Sequence, residues 1–252
     1  MKIISSYSSP SYSLRPIGVI PEYIILHYTE LPFEKALADY LNPNIELSCH
    51  YLICKNGEIY QLVDDEKVAW HAGASYWRGK ERLNPYSFGI EIENLGNEPF
   101  TSEQIKSCIT LCHNLMRKYH IPRSNILGHS DIAPERKIDP GIMFFWKELL
   151  DHSIGIEYVS VMTVDNYVIY SFGERSDGIY ELQKRLSLIG YKILLTGVYD
   201  EQTNKVVRGF QAHFCPDVIL EKGGIGYYIS DESLFSWDKA SEQVLSSIIL
   251  GT

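Results

Sequence analysis

A short apolar run at residues 23–28 constrains the fold of this chain more than any other feature of its sequence. The six residues, Tyr-Ile-Ile-Leu-His-Tyr, are fewer than an ordinary helix needs and show no alternation of apolar and polar side chains. Such a run is typical of a strand buried within a sheet. His27 lies near the end of this predicted strand, where a sheet presents side chains to a site.

Strand and helix signals follow one another along the first 153 residues. An Asn-Gly pair at 56–57 separates two apolar stretches, which predicts a β-hairpin. Residues 87–93 alternate as a strand does. Thr101 and Gln104 match a capping box, so a helix is predicted to begin there and to end before Pro122. Further elements are predicted as helices at 33–41 and 144–151 and as a strand at 126–127. This mixture predicts an α/β domain over residues 1–153, called here the N-terminal unit.

The sequence changes character after His152. Residues 154–175 are predicted to be a linker, and residues 176–252, called here the C-terminal unit, a small all-α domain of three helices. The first helix is predicted from apolar residues that step +3, +4 and +3 from Ile179 to Ile189. Asp200 is predicted to cap the second helix, and the third is predicted at 236–250. Residues 215–230 are expected to be a loop insertion.

Composition excludes several classes of protein. The formal net charge of -9 disfavours nucleic acid and anionic membranes as partners of the whole molecule. No apolar run approaches the roughly 18–20 residues that span a bilayer. The five cysteines are an odd number in a chain large enough to fold without disulfides, and Cys108 and Cys112 are expected to be core residues rather than metal ligands. The sequence contains no signal for an oligomeric state.

The strongest chemical signal is a polar, proline-containing loop at 129–141, which contains His129, Lys137 and Asp139. A histidine and an aspartate suit zinc, but a catalytic zinc site needs a third protein ligand. His27 is a candidate, although a buried histidine with its ring hydrogen-bonded is the alternative. Glu91 and Glu93 lie two residues apart on a predicted strand and so face the same side. Their spacing alone does not choose between them as an acid/base group.

Five segments in order resemble the type-2 N-acetylmuramoyl-L-alanine amidases, the AmpD/AmiD-like zinc amidases. They are Ile-Leu-His-Tyr-Thr at 25–29, Ser-Cys-His-Tyr-Leu-Ile at 48–53, Trp-His-Ala-Gly at 70–73, Ser-Phe-Gly-Ile-Glu-Ile-Glu-Asn at 87–94, and the block 129–141. The resemblance covers about residues 20–150 and implies a mixed central sheet with flanking helices. It further implies hydrolysis of the amide bond between N-acetylmuramic acid and L-alanine in peptidoglycan or muropeptides.

The resemblance also implies roles for single residues. It makes His27, His129 and Asp139 the ligands of one zinc ion per chain. It makes Glu91 the catalytic acid/base and Lys137 the group that stabilises the oxyanion. Residues expected to contact substrate are Trp70, His71, Tyr76, Arg78 and Asn84, with the arginine suited to a carboxylate of the peptide stem.

The C-terminal unit resembles the peptidoglycan-binding domain 1 family, through residues 179–186, 190–191, 197–203, 207 and 210–211. It shows no catalytic set of its own, so it is predicted to anchor the enzyme to the cell wall. A chain that ends near His152 is accordingly expected to keep activity on a small soluble substrate. The wall-binding unit favours the bacterial cell envelope or periplasm, whereas the lack of a visible signal peptide favours the cytoplasm.

Two other functions compete with the amidase. Peptidoglycan-recognition proteins share the fold, and some lack zinc ligands and catalysis. The ligand set here is complete and accompanied by Glu91 and Lys137, which favours an enzyme. A zinc peptidase acting within the peptide stem is the second alternative, and the motifs argue against it. The choice between anhydro-muropeptide and intact sacculus as substrate stays open.

Overall fold

The structure is a computed structural model that describes residues 2–161, 166–221 and 235–250. Its strands are β1 (Ile3–Ile4), β2 (Tyr12–Leu14), β3 (Tyr23–Tyr28), β4 (Tyr51–Ile53), β5 (Ile59–Gln61), β6 (Lys67–Ala69), β7 (Tyr76–Trp77), β8 (Lys80–Glu81), β9 (Ser87–Ile92), β10 (Ile126–Gly128), β11 (Val168–Tyr170) and β12 (Trp237–Asp238). Its α-helices are α1 (Phe33–Leu41), α2 (Ser102–Tyr119), α3 (His129–Ile132), α4 (Trp146–Asp151), α5 (Asp177–Ile189), α6 (Glu201–Phe214), α7 (Pro216–Glu221) and α8 (Lys239–Leu250).

A mixed six-stranded sheet organises the N-terminal unit, in the order β1-β5-β4-β9-β3-β10. Strands β4, β9, β3 and β10 run parallel, whereas β4 and β5 form the antiparallel hairpin predicted from Asn56-Gly57. All six residues of β3 are buried, which confirms the strand predicted over 23–28. The predicted fold class, an α/β sheet with flanking helices, is confirmed.

The two faces of the sheet pack against different partners. Ile24, Leu26 and Tyr28 point to the face covered by α2 and α4, in one apolar cluster with Cys108 and Trp146. The alternate residues of β3 point the other way, toward the metal-ligand candidates and the C-terminal unit. The face opposite α2 therefore carries the chemistry.

Local capping signals account for where helices α2 and α6 begin. The Thr101 side chain accepts a hydrogen bond from the Gln104 backbone, and the Gln104 side chain accepts one from the Thr101 backbone, which confirms the predicted capping box. Helix α1 spans the predicted range 33–41. The Asp200 side chain caps α6 through the Thr203 N–H, also as predicted.

The C-terminal unit differs in detail from the three predicted helices. In addition to α5, α6 and α8, the unit contains the short helix α7, which follows α6. Helix α7 occupies the start of the stretch expected to be a loop insertion. Residues 222–230 of that stretch lie outside the described part of the chain. The segment 154–175, predicted to be a linker, contains β11, which pairs antiparallel with β12 near the start of α8. Ile154 and Ile156 at its start are buried, so the segment is packed against the fold at that end.

One apolar cluster runs through both units. Ile25, Trp77 and Leu127 of the N-terminal unit share it with Ile179 and Phe210 of the C-terminal unit, and all five are fully buried. The Trp77 and Tyr191 rings meet edge to face with centroids 5.0 Å apart. The two units therefore fold around a common core.

The remaining composition-based expectations concern cysteines and membranes. All five cysteines are free and buried, and the Cys108 and Cys112 sulfurs lie 4.0 Å apart inside the α2 cluster, as expected for core residues. Among the described residues, no helix combines the length and the apolar character needed to cross a bilayer.

The shared core predicts the result of truncation. A chain that ends after His152 should aggregate or unfold at a markedly lower temperature than the full chain, because it exposes apolar residues such as Ile25 and Trp77 to water. Light scattering and thermal unfolding of the two chains measure this. A monomeric truncated chain that unfolds at the same temperature as the full chain would contradict the common core.

Candidate metal centre

Three buried side chains from separate segments converge at one edge of the sheet. His27 lies on β3, His129 directly follows the neighbouring parallel strand β10, and Asp139 lies near the end of residues 129–141, called here the metal-binding loop. The His27 and His129 Nδ1 atoms lie 2.9 and 3.1 Å from the Asp139 Oδ2 atom and 3.1 Å from each other. The structure thus brings together the three residues predicted to be ligands, and they can hold a metal ion.

A chain of hydrogen bonds behind His27 assigns its tautomer. The Ser87 hydroxyl donates to the Leu83 carbonyl at 2.8 Å, so its oxygen must accept from His71 Nε2 at 3.1 Å. The unprotonated His71 Nδ1 then accepts from His27 Nε2 at 3.0 Å. The remaining nitrogen of His27, Nδ1, therefore presents a lone pair to Asp139 and His129.

The tautomer of His129 follows from the groups around its other nitrogen. Arg136 Nη2 directs its two hydrogens to the Ala72 and Ala74 carbonyls, so none is left for the adjacent His129 Nε2. His129 Nε2 therefore donates to the Ala72 carbonyl at 3.2 Å, and Nδ1 carries a lone pair. Two imidazole lone pairs and a carboxylate oxygen thus meet in a buried space, an arrangement that a bound cation would stabilise.

The surroundings keep His27 and Asp139 in the form that binds metals. Burial, followed by the neighbouring His129, lowers the pKa of His27 to about 4, so its ring is neutral at neutral pH. Burial alone raises the pKa of Asp139, but the adjacent His129 and His27 rings outweigh it and hold that pKa well below the usual range. A neutral imidazole and an ionised carboxylate are the ligand forms of these residues.

Glu91 lies next to His27 in the sheet. The two residues are register partners of the parallel strands β9 and β3, so their side chains point to the same face. Burial, and secondarily the charge of Asp139, raises the pKa of Glu91 well above its usual value, although the Tyr40 hydroxyl and Lys137 act in the opposite direction. Glu91 Oε2 is buried and has no hydrogen-bond partner among the described residues. It is thus available to a water or substrate atom.

The two glutamates have different surroundings. Glu93 follows the end of β9 and accepts hydrogen bonds from the Phe33 and Lys55 backbone N–H groups at 3.1 and 2.8 Å. It therefore ties the start of α1 to the β4–β5 turn. Lys137 is half-buried on the metal-binding loop, and its charge acts on both Glu91 and His27.

His71, which is predicted to contact substrate, is held in a buried position behind His27. Its ring is buried beneath the metal-ligand candidates and packs over Gly89, where an added Cβ would lie 2.3 Å from the ring. A glycine at this point of β9 therefore leaves the space in which His71 reaches His27. Burial, then the neighbouring histidines His27 and His50, lowers the pKa of His71 well below its usual value, which keeps it neutral.

Two further residues predicted to contact substrate have structural roles. Asn84 Oδ1 accepts from the backbone N–H groups of His71 and Ala72 at 3.2 and 2.7 Å, so it holds the segment that carries His71. The Arg78 Nε donates to the Ile189 carbonyl at 2.8 Å, which ties this exposed arginine to the end of α5.

Trp70 and Tyr76, the other two residues predicted to contact substrate, are partly exposed. Trp70 is half-buried, and its indole N–H donates to the Ser13 hydroxyl at 3.2 Å. Tyr76 lines a cavity of about 330 Å³ between the β7–β8 hairpin and residues 132–136 of the metal-binding loop. Substrate contact by each of the five residues named in the sequence analysis stays a prediction.

Sequence reasoning missed the groups that support the centre. One of them is Tyr40, whose hydroxyl hydrogen-bonds Glu91. A signal for it was present, because Tyr40 shares the buried face of α1 with Ala36 and a buried tyrosine hydroxyl needs a partner. Ser87 and Arg136 gave no signal, because their contacts lie 16 and 64 residues away along the chain.

Comparison with known proteins agrees with this geometry. The family model described as N-acetylmuramoyl-L-alanine amidase matches residues 17–142, and a model described as a peptidoglycan binding domain matches residues 175–218. The AmpD protein of Enterobacter cloacae, a 1,6-anhydro-N-acetylmuramyl-L-alanine amidase, is 35% identical over 156 residues, which cover 55% of this chain and 83% of AmpD.

Two relatives match both units. The N-acetylmuramoyl-L-alanine amidase AmiD of Escherichia coli is 35% identical over 209 residues, covering 77% of this chain and 74% of AmiD. The AmiD structure superposes with a TM-score of 0.73 at 28% identity over 94% of this chain and 92% of that one. AmpDH3 of Pseudomonas aeruginosa superposes with a TM-score of 0.72 at 27% identity, over 98% and 96% of the two chains. The chain therefore belongs to the N-acetylmuramoyl-L-alanine amidase family and is a hydrolase of the amide bond between N-acetylmuramic acid and L-alanine.

Proposed function

We propose that this amidase uses one zinc ion held by His27, His129 and Asp139, and that it acts on muropeptides with a 1,6-anhydro sugar. The observation that carries the metal is the convergence of two imidazole lone pairs and one carboxylate oxygen, with distances of 2.9–3.1 Å between them. Two nitrogens and one oxygen suit zinc, and three protein ligands leave a position for water or substrate. The same ligand set argues against a purely binding protein.

The acid/base role is assigned to Glu91. When bound, zinc acts as a Lewis acid and lowers the pKa of water from 15.7 to about 7. Glu91 then removes a proton from the attacking water and returns it to the departing L-alanine amine. A carboxyl whose pKa is raised by burial suits both transfers, because it holds a proton more readily than an exposed glutamate does. Its free Oε2 atom is the one that would exchange the proton.

Lys137 is assigned to the oxyanion. It lies on the same loop as His129 and Asp139, and its charge already acts on Glu91. A fixed positive charge in a largely buried site stabilises the negative oxygen that develops as water adds to the amide carbonyl.

The substrate class rests on what the relatives bind. The AmiD structure contains anhydro-N-acetylmuramic acid-L-Ala-D-gamma-Glu-L-Lys, and the AmpDH3 structure an anhydromuramic pentapeptide. We infer that a soluble anhydro-muropeptide is also accepted here, with the cell envelope as the place of action. The match of the C-terminal unit to a peptidoglycan binding domain supports that location.

The metal assignment predicts the behaviour of a ligand variant. The purified chain should bind about one zinc ion, and His129→Ala should lose most of it, since two ligands hold zinc far less tightly than three. Metal analysis after dialysis measures the zinc content. His113→Ala is the control, because the His113 ring hydrogen-bonds an exposed carbonyl at residue 152. Full zinc retention by His129→Ala would refute the ligand set.

The acid/base assignment predicts a contrast between two glutamates. Glu91→Gln should retain zinc and lose about 10²–10⁴-fold in kcat. Glu93→Gln should lower the unfolding temperature, because it disturbs two backbone hydrogen bonds, and keep most of its activity while folded. Turnover of a soluble muropeptide by both folded variants measures the contrast. Greater loss in the Glu93 variant would mean that the acid/base group is misassigned.

The substrate proposal is tested by offering two substrates side by side. Purified enzyme should release the intact stem peptide, beginning at L-alanine, from soluble anhydro-muropeptide, as identified by mass spectrometry. Digestion of purified sacculi under the same conditions shows whether the polymer is also cut. Products cleaved within the peptide stem would point to the peptidase alternative, and cleavage of sacculi alone would overturn the proposed soluble substrate.

A further inference from the structure

We propose that the C-terminal unit positions the metal-binding loop through the buried carboxylate of Asp131, and so is part of the metal centre as well as a candidate wall anchor. The inference rests on the proposed metal site. Asp131 lies two residues after His129 on α3, and its side chain is fully buried.

Among the described residues, the Asp131 carboxylate makes three hydrogen bonds, and two of them are with the C-terminal unit. Oδ1 accepts from the Tyr191 hydroxyl at 2.8 Å, and Oδ2 contacts His213 Nδ1 at 2.8 Å. The third donor is the Gly128 backbone N–H, 2.7 Å from Oδ2, at the residue just before His129. A buried carboxylate is stable only while its donors are in place, so Tyr191 and His213 bear directly on the conformation of residues 128–131.

The donors themselves are held rigidly. The His213 ring stacks between Trp146, 3.6 Å away between centroids, and Phe214, 3.9 Å away. Tyr191 is fully buried and packs edge to face on Trp77. Rigid donors fix where the carboxylate lies, and through it the start of α3, where His129 begins.

Helix α6 touches the metal-binding loop at further points. A Cβ on Gly209 would lie 2.8 Å from the Ser130 carbonyl oxygen, so a glycine allows this close approach of α6 to α3. The Arg208 Nη2 donates to the Pro134 carbonyl at 2.7 Å. The loop that supplies two of the three proposed ligands is therefore supported by the C-terminal unit at residues 130, 131 and 134.

These contacts are distinct from any wall-binding surface. Asp131, Tyr191 and His213 are 1%, 0% and 2% exposed, so none of them is accessible to a polymer. A variant that breaks this carboxylate network therefore tests positioning without removing a wall contact.

The experiment compares two buried tyrosine hydroxyls in the full-length chain. Tyr191→Phe removes the donor to Asp131, whereas Tyr199→Phe removes a donor to the Phe235 carbonyl in the same unit, away from the loop. Both are fully buried, so the two substitutions carry similar general costs. Zinc affinity is measured by chelator competition, the ligand geometry by the visible spectrum of the Co²⁺-substituted chain, and kcat and KM with soluble muropeptide.

We expect Tyr191→Phe to weaken zinc binding about 10-fold, as loss of a group that supports a metal ligand does, and to alter the Co²⁺ spectrum. Tyr199→Phe should leave both unchanged. Arg208→Ala provides a second variant should Tyr191→Phe fold poorly. It removes the hydrogen bond to the Pro134 carbonyl and leaves the buried tyrosine hydroxyls in place. Equal zinc affinity and spectra in the two folded tyrosine variants, or an unchanged Arg208→Ala, would overturn the positioning role alone. Failure of the unsubstituted chain to bind Zn²⁺ or Co²⁺ would overturn the proposed metal centre and this inference with it.

Discussion

The parallel pairing of β3 with β9 and β10 is the constraint on which the site depends. In-register residues of parallel strands point to the same face, so His27 and Glu91 lie side by side. Strand β10 flanks β3 on its other side and ends at Gly128, so His129 emerges at the same edge. The carboxyl ends of neighbouring parallel strands thus bring two proposed metal ligands, His27 and His129, and the carboxyl group of Glu91 to one place, as is usual for sites in α/β sheets.

Burial then favours the uncharged forms of two groups in the site, His27 and Glu91. The His27 ring is neutral because water is excluded, and the Ser87–His71 chain directs its lone pair toward Asp139 and His129. Glu91 is in the same buried space, where the protonated form is favoured. The closed packing at this end of the strands therefore prepares His27 to bind a cation and the proposed acid/base group to carry a proton.

The parts of the structure that were predictable from the sequence depend on neighbours along the chain. The strand over 23–28, the capping box at Thr101 and the hairpin at 56–57 are set by local pattern, and the structure contains all three. Residue spacing did not decide whether Glu91 or Glu93 is the acid/base group. That choice depends on which carboxylate is occupied by backbone donors from other segments, and these donors are distant in the sequence. The supporting role of His71 was also inaccessible, because it joins residues 44 positions apart and requires a glycine on an adjacent strand.

The packing of the two units against each other was not accessible from the sequence, for a physical reason. Sequence periodicity shows that a helix has an apolar face but not which surface covers it, and here α6 packs against α3 of the other unit. A flexible tether would raise the local concentration of wall bonds in any orientation. A unit fixed by a common core instead sets one distance and one orientation between its outer surface and the metal-binding loop. If that surface does hold the wall polymer, the enzyme can cut only those stems that this fixed geometry brings to Glu91, so packing rather than linker length would define its reach.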